Sequence, residues 1–375
     1  MIYFDHAATT YIRTEVIDDM SQVMKTCYGN PSSTHAAGRD AKNLIELSRK
    51  QIAKLVHAQA KEIMFTSGGT ESNNWIIQQA VNKLGIERII TSKIEHHAVL
   101  YPIQHLERTK NIQVEYVNIN ADGQIDYDHL IKILPADKKT LVSLMAVNNE
   151  TGAISDVKKI AEACQSHHAL FHSDMVQAIG KYPINLSDLG VDFATASGHK
   201  FHGPKGIGLV YVNQKHQLGA YILGGEQEKG QRAGTEGTHQ IVGMAKALEL
   251  SLAHLDEEKH TIEEIKSYAI NRLKDIFPEL RINAPIQHSA YNILNVGFNL
   301  SPDQSNMLLF HLDLKGISVS RGSACQSGSA KPSHVLSEFL LDDHLNQANM
   351  RLSFAHSNTK AEIDCLVNAL ETLKG

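Results

Sequence analysis

The chain has 375 residues, with 36 Lys and Arg against 41 Asp and Glu for a formal net charge of −5. That balance excludes a protein whose main task is coating nucleic acid, and 42% hydrophobic with 21% charged residues marks a soluble globular chain rather than a disordered one. The length exceeds one ordinary core and predicts about two domains.

The opening "MIYFDHAATTY" shows neither a basic nor an apolar leader, and no apolar run nears the length of a membrane span. Cys27, Cys164, Cys325 and Cys365 lie far apart without a C-x-x-C pair, against a disulfide framework or zinc ribbon. A reducing cytoplasm is the expected compartment.

From about residue 60 to 225, short β-rich runs alternate with helix-period segments. Strands are predicted at "EIMFTS" (62–67), "RIITS" (88–92), "VEYVNI" (114–119), "TLVSLMAV" (140–147), "ALFHSD" (169–174), "DFATAS" (192–197) and "GLVYV" (208–212). Between them Ile77, Ala80, Val81 and Leu84 form one apolar helical stripe, and Val157, Ile160, Ala161 and Cys164 another. Alternation of this kind predicts an α/β fold with a mostly parallel, doubly covered sheet. After about residue 255 the texture changes to a charged helix, a strand-like "NILNVGFNL" (292–300), helical "SNMLLFHLDLKG" and a final helix striped by Ile363, Leu366, Val367 and Leu370. Longer helices and fewer strands predict a second, smaller α+β domain starting near residue 256.

Several segments carry chemistry. "FTSGGTESNNW" (65–75) is a strand, a glycine turn and a helix start near Thr70, where free N–H groups can cradle an anion or simply make a capped βα turn. "SKIEHHAVL" offers His96 and His97 just past a strand, and "VNNETGA" closes another with Asn148, Asn149 and Glu150. Asp174 ends the run Ala169 to Phe171, the edge where open parallel sheets bind ligands, with Gln177 three residues on; the alternative is a helix cap. "SGHKFHGPKG" (197–206) brings Lys200 to the end of a strand, an expensive place for an ammonium without a partner or purpose. Cys325 lies in Ser/Gly-rich "SRGSACQSGSAKPSH" (320–334), a composition expected of an exposed loop with either a reactive or an incidental thiol.

These pieces coincide in one family. "YFDHAATT", "GNPSSTH", "FTSGGTESNN", "EHHAVL", "VNNETGA", "SDMVQAIGK", "SGHKFHGPKGIG", "RAGTEGTHQIVG" and "SRGSACQSGS" occur in order, and together they resemble a pyridoxal-phosphate-dependent cysteine desulfurase of the NifS/IscS kind, within the class V aminotransferases. The resemblance implies a fold-type I enzyme and homodimer. It implies a large cofactor-binding domain over 15–255, and a small domain from 1–14 and 256–375 that carries the cysteine loop. The implied activity takes L-cysteine to L-alanine and leaves the sulfur as a persulfide on Cys325. The alternative is a selenocysteine lyase or another enzyme of the same fold.

The motifs also imply roles. Lys200 would hold the cofactor covalently, as a neutral amine nucleophile. Asp174 would pair with the pyridine nitrogen, Gln177 would bond the phenolic oxygen, and His96 would stack on the ring and move protons. Gly69, Thr70, Ser197 and His199 would hold the phosphate, and Thr235 would do so from across the dimer interface. Asn149 would contact cofactor or substrate, and Arg351 in "MRLSFA" would clamp the substrate carboxylate. No metal site is implied, and a hydrolase built on His96, His97, His199 and His202 lacks any strong zinc spacing. "GSACQSGSAKPSHVL" resembles the longer-loop desulfurases that pass sulfur directly to a protein acceptor, a cluster scaffold or tRNA-thiolation enzyme, with no direct nucleic-acid or membrane contact. Gln326 and Ala330–Lys331 depart from that group's usual residues and bear on which acceptor docks.

Overall fold

The computed structural model describes residues 1–135, 137–284, 286–321, 332–345 and 347–374. Among them the strands are β1 (Ile2–Tyr3), β2 (Ile63–Thr66), β3 (Arg88–Ser92), β4 (Gln113–Val117), β5 (Thr140–Ser143), β6 (Leu170–Asp174), β7 (Phe193–Ser197), β8 (Gly208–Val212), β9 (Arg281–Ile282), β10 (Ile293–Phe298), β11 (Ile317–Ser318) and β12 (Ala348–Ser353). All seven strands expected between residues 60 and 225 are present, and they form one sheet in the order β2-β8-β7-β6-β5-β3-β4. Strands β3 to β7 pair in parallel, while β8 is antiparallel to both β7 and β2. Two reversals restore direction, so β2 points the same way as β7. The carboxyl ends of β2, β3, β5, β6 and β7 therefore share one edge.

Alternation of side chains along these strands feeds two separate cores. Phe65, Ile90, Val142 and Ala194 pack with Ile45 and Ile52 of helix Ala36–Leu55 and with Met244 and Leu248 of helix Thr238–Ala253. Their immediate neighbours Met64, Ile89, Leu141 and Phe193 face the other way, onto Trp75, Ile76, Val99 and Ile103 of helices Gly69–Asn82 and His97–Lys110. Each strand is thus apolar on both faces, which is why it reads as a continuous hydrophobic run.

A third core builds on the antiparallel sheet β12-β10-β9. Helices Leu255–Ile276, Pro302–Leu314 and Lys360–Lys374 cover it, burying Leu273, Leu308, Leu312, Ile363, Leu366 and Leu370 against Leu294, Val296, Met350 and Leu352. Helix Pro302–Leu314 starts where the sequence says it must: Ser301 and Gln304 close a capping box and proline takes the first turn. The N-terminal segment connects the cores. β1 pairs with β11, Phe4 sits in the third core, and Ala7 sits in the first. No helix among the described residues is long and apolar enough to cross a membrane.

Two details differ from expectation. The ladder of β5 stops at Ser143 rather than 147, although Leu144 and Ala146 still donate to the His172 and Asp174 carbonyls. β12, around Arg351, and the helices Thr14–Thr26, Ala36–Leu55 and Thr238–Ala253 are elements that the sequence reading does not single out.

Candidate active site

At the common strand edge lies a cavity of about 260 Å³, a little below the usual ~300–1,000 Å³ of small-molecule sites. Gly69 and Thr70 follow β2, His96 follows β3, Asn149 follows β5, Asp174 ends β6, Ser197 ends β7, and Lys200 stands three residues on. Gln177 and His199 complete this side, and Arg351 enters from β12 of the other sheet. Nine expected residues from five separate segments of the large sheet thus meet Arg351 in one space.

Each is held for a physical reason. Asp174 accepts from Asn73 Nδ2 at 2.7 Å and from the Val176 amide at 3.0 Å, and Asn73 is in turn fixed by Thr195 Oγ1 at 3.0 Å. This network keeps a buried carboxylate aimed at the cavity. Lys200 Nζ donates to the carbonyls of Ala7 at 2.6 Å and Ala8 at 2.9 Å. Gln177 Nε2 donates to the same Ala7 carbonyl at 2.9 Å. His96 caps helix His97–Lys110: its Nδ1 accepts from the Ala98 amide at 3.0 Å, which leaves Nε2 to carry the ring proton. Burial lowers the His96 pKa, with Lys200 and His334 pushing the same way, so the ring is neutral at physiological pH. His199 bonds Thr9 Oγ1 at 3.1 Å, and burial beside Lys200, Lys205 and Lys181 lowers its pKa to about 4.

Arg351 is 1% exposed. One η nitrogen donates to Asp5 Oδ1 at 2.6 Å and the other to the Asn149 carbonyl at 2.8 Å, while Nε has no hydrogen-bond partner among the described residues. A buried guanidinium donor without an acceptor is costly, and an acceptor arriving at this residue would relieve it.

Cys325 lies outside the described residues. Both flanks of its segment are attached at the cavity. Ser320 and Arg351 exchange backbone hydrogen bonds at 2.6 and 3.3 Å. On the far side Ser333 Oγ donates to Glu150 at 2.5 Å, His334 Nε2 lies 3.0 Å from the Glu95 carbonyl, and the His334 ring stacks on His97 at 4.5 Å. His97 is therefore a packing partner of that flank and does not line the cavity.

Thr235 is not brought to the cavity. It is exposed and borders a different hollow with Thr66, Ser67, Arg232 and Glu236. Sequence reasoning in turn missed Ala7, Ala8, Asn73, Met145, Val147 and Val176, which line the site. A polar Asn73 on the inner face of a helix was a usable signal; alanine carbonyls carry none.

The donor set suits a phosphorylated pyridine aldehyde. A primary amine, a fixed carboxylate, an amide and a helix N-terminus with hydroxyls beside it face one another. The approach is tight at Gly69, where a Cβ would come within 2.7 Å of Val176 Cγ2.

Comparison with known proteins agrees. The family model for class-V aminotransferases matches residues 2–366. The chain is 39% identical to the cysteine desulfurase IscS of Dictyoglomus turgidum, over 99% of this chain and 94% of that one. It is 41% identical to the Escherichia coli O139:H28 protein of the same name, over 97% and 90%. Among solved structures, a NifS-like protein superposes with a TM-score of 0.91 at 35% identity, covering 99% and 98% of the two chains. A NifS-like protein from Rickettsia africae gives 0.89 at 33%, covering 100% and 99%. From a lysine at a strand end to the matched length of its relatives, this chain belongs to the class-V aminotransferases, and within them to the pyridoxal-phosphate-dependent cysteine desulfurases.

Proposed function

We propose that the cavity is the active site of this cysteine desulfurase, with Lys200 holding pyridoxal phosphate and Cys325 receiving the sulfur. One observation carries the assignment: Lys200, Asp174 and Arg351 share a cavity to which both flanks of the Cys325 segment are attached. A transaminase has no use for a thiol segment anchored there.

The bound cofactor supplies an electron sink for charge developing at the substrate Cα. Asp174 would keep the pyridine nitrogen protonated, and Gln177 would donate to the phenolic oxygen. Ser197, His199, Thr70 and the Gly69 amide would take the phosphate at the helix start. The neutral His96 ring would lie against the pyridine face. Arg351 would hold the L-cysteine carboxylate through its open Nε, with Asn149 beside it. The Lys200 amine, once released by substrate, would take the Cα proton.

The Cys325 thiolate then attacks the substrate sulfur. An S–S bond forms, the substrate C–S bond breaks, and its electron pair goes to carbon, which takes up a proton. The products are L-alanine and a Cys325 persulfide, with no outside oxidant. An acidic thiol helps only partly, since nucleophilicity falls with pKa.

We further assign residues 15–255 to the cofactor domain and residues 1–14 with 256–375 to the small domain. A homodimer would bring Thr235 of the partner subunit to the phosphate. The acceptor would be a protein, a cluster scaffold or a tRNA-thiolation enzyme, in a reducing cytoplasm. L-Cysteine turnover tests the function: alanine and sulfide should form in equal amounts with reductant present. Cys325→Ala should abolish both while leaving the bound cofactor's colour. Alanine formation that survives in Cys325→Ala removes the thiol from the reaction.

A further inference from the structure

The site contains a second lysine. Lys181 lies in the stretch after β6 and is 6% exposed. Its Nζ donates to Gln177 Oε1 at 2.5 Å, its one hydrogen bond among the described residues. Its surroundings are hostile to a cation. Burial, then Lys200 and Arg351, lower its pKa to about 7. On another side stands His6, itself buried, with neither ring nitrogen bonded among the described residues and a pKa lowered to about 4 chiefly by burial. A lysine kept at this cost needs a task.

The task is visible in the amide it touches. Nζ carries N–H donors whether charged or neutral, and the atom of Gln177 that receives one is the carbonyl oxygen. The NH2 end is thereby turned toward the cavity, where Nε2 meets the Ala7 carbonyl that also receives Lys200. Without the Nζ donor, Oε1 would be a buried acceptor lacking a partner, and the side chain would rotate to relieve it.

Resting on the cofactor site read above, we propose that Lys181 is a positioning residue. Its Nζ donor locks the Gln177 amide so that an N–H faces the phenolic oxygen of the cofactor. The lysine itself touches neither cofactor nor substrate.

The test is the pH midpoint of the visible absorption band of the holoenzyme, which reports the protonation of the nitrogen joining Lys200 to the cofactor. Loss of a donor to the neighbouring phenolate makes that nitrogen more basic. Gln177→Ala and Lys181→Met should therefore each raise the midpoint by about one pH unit. The double variant should go no further than Gln177→Ala alone. Lys181→Arg, which keeps a charged donor, should stay near the wild type, and it serves if Lys181→Met does not fold. An unshifted midpoint in cofactor-loaded Lys181→Met overturns the proposal. So does a Lys181→Arg midpoint like that of Gln177→Ala. A Lys181 effect that persists in the Gln177→Ala background overturns it too, since Lys181 would then act by charge alone. Borohydride reduction of wild-type holoenzyme and peptide mapping separates this from failure of the site itself. A cofactor fixed anywhere but Lys200 sinks the site assignment, whatever the titrations show.

Discussion

The large sheet and the small sheet contribute to the cavity in opposite ways. The large sheet supplies most of the groups that line the cavity from one edge, because the strands before them end there. The small sheet supplies Arg351 alone, and it reaches the cavity only with the help of the N-terminal segment. Residues 2–8 pair with β11, bind Arg351 through Asp5, and grip Lys200 through Ala7 and Ala8. Repeated topology builds the floor of the site, and one short strand of chain couples that floor to the residue expected to hold the substrate.

Breaking the floor should cost most. Lys200→Ala should lower kcat by about 10³-fold or more, since the proposed role makes one group both carry the cofactor and move a proton. Folding should be intact by circular dichroism, and a variant with near wild-type kcat would remove Lys200 from the chemistry. Asp174→Asn tests the same floor electronically: kcat should fall by about 10²-fold or more with little change in the KM for cysteine.

Breaking the small-sheet contribution should appear in binding. Arg351→Lys keeps a charge but loses the guanidinium fork, and the KM for cysteine should rise by about 10-fold to 100-fold, as for a loss of ~1.5–3 kcal/mol. A purely catalytic defect would contradict the clamp.

A third change sharpens the comparison by testing the scaffold rather than the site. Arg49 and Glu228 form a two-pronged ion pair at 2.7 and 2.8 Å, and Glu228 also accepts from the Phe65 amide of β2. Side chains of both are at most 6% exposed. Glu228→Ala leaves the buried guanidinium with only the half-exposed Glu46 at 3.3 Å as its anion, and thermal or urea unfolding should show a loss of about 3 kcal/mol.

The smallest effect is acid sensitivity. Burial lowers the pKa of His6, His172 and His199 to about 4 and of His202 to about 3, from 6.5. Between about pH 4 and 6.5 the unfolded chain binds these protons and the native chain does not, so stability falls as pH drops below 6.5. Glu95 opposes them, because burial raises its pKa to about 8 and the native state holds that proton more tightly. Four histidines against one carboxylate leave a net loss of stability as the pH falls through this window. Melting temperatures from pH 7 to 5 should follow it, and an unchanged Tm would refute it.

Much of this architecture was legible. Eight strands announced themselves as apolar runs and five helices by their stripes or charge, and Lys200, Asp174 and Arg351 stood out within matched motifs. Three kinds of feature were not legible. The grip of Ala7 and Ala8 uses backbone carbonyls, which no residue type encodes. Asn73 supports Asp174 from 101 residues away, a pairing visible only after the sheet closes. Lys181 was quoted in a motif, yet its burial depends on the turn beneath Gln177 and not on its neighbours in sequence.

The account stands on sulfur leaving cysteine for one particular thiol. A single turnover of holoenzyme with sulfur-labelled L-cysteine, quenched by alkylation without reductant and mapped by peptide mass, reads that step directly. The label should be found on the peptide holding Cys325, in equal amount with alanine. Label on Cys27, Cys164 or Cys365 instead, or alanine without any protein-bound sulfur, would contradict it.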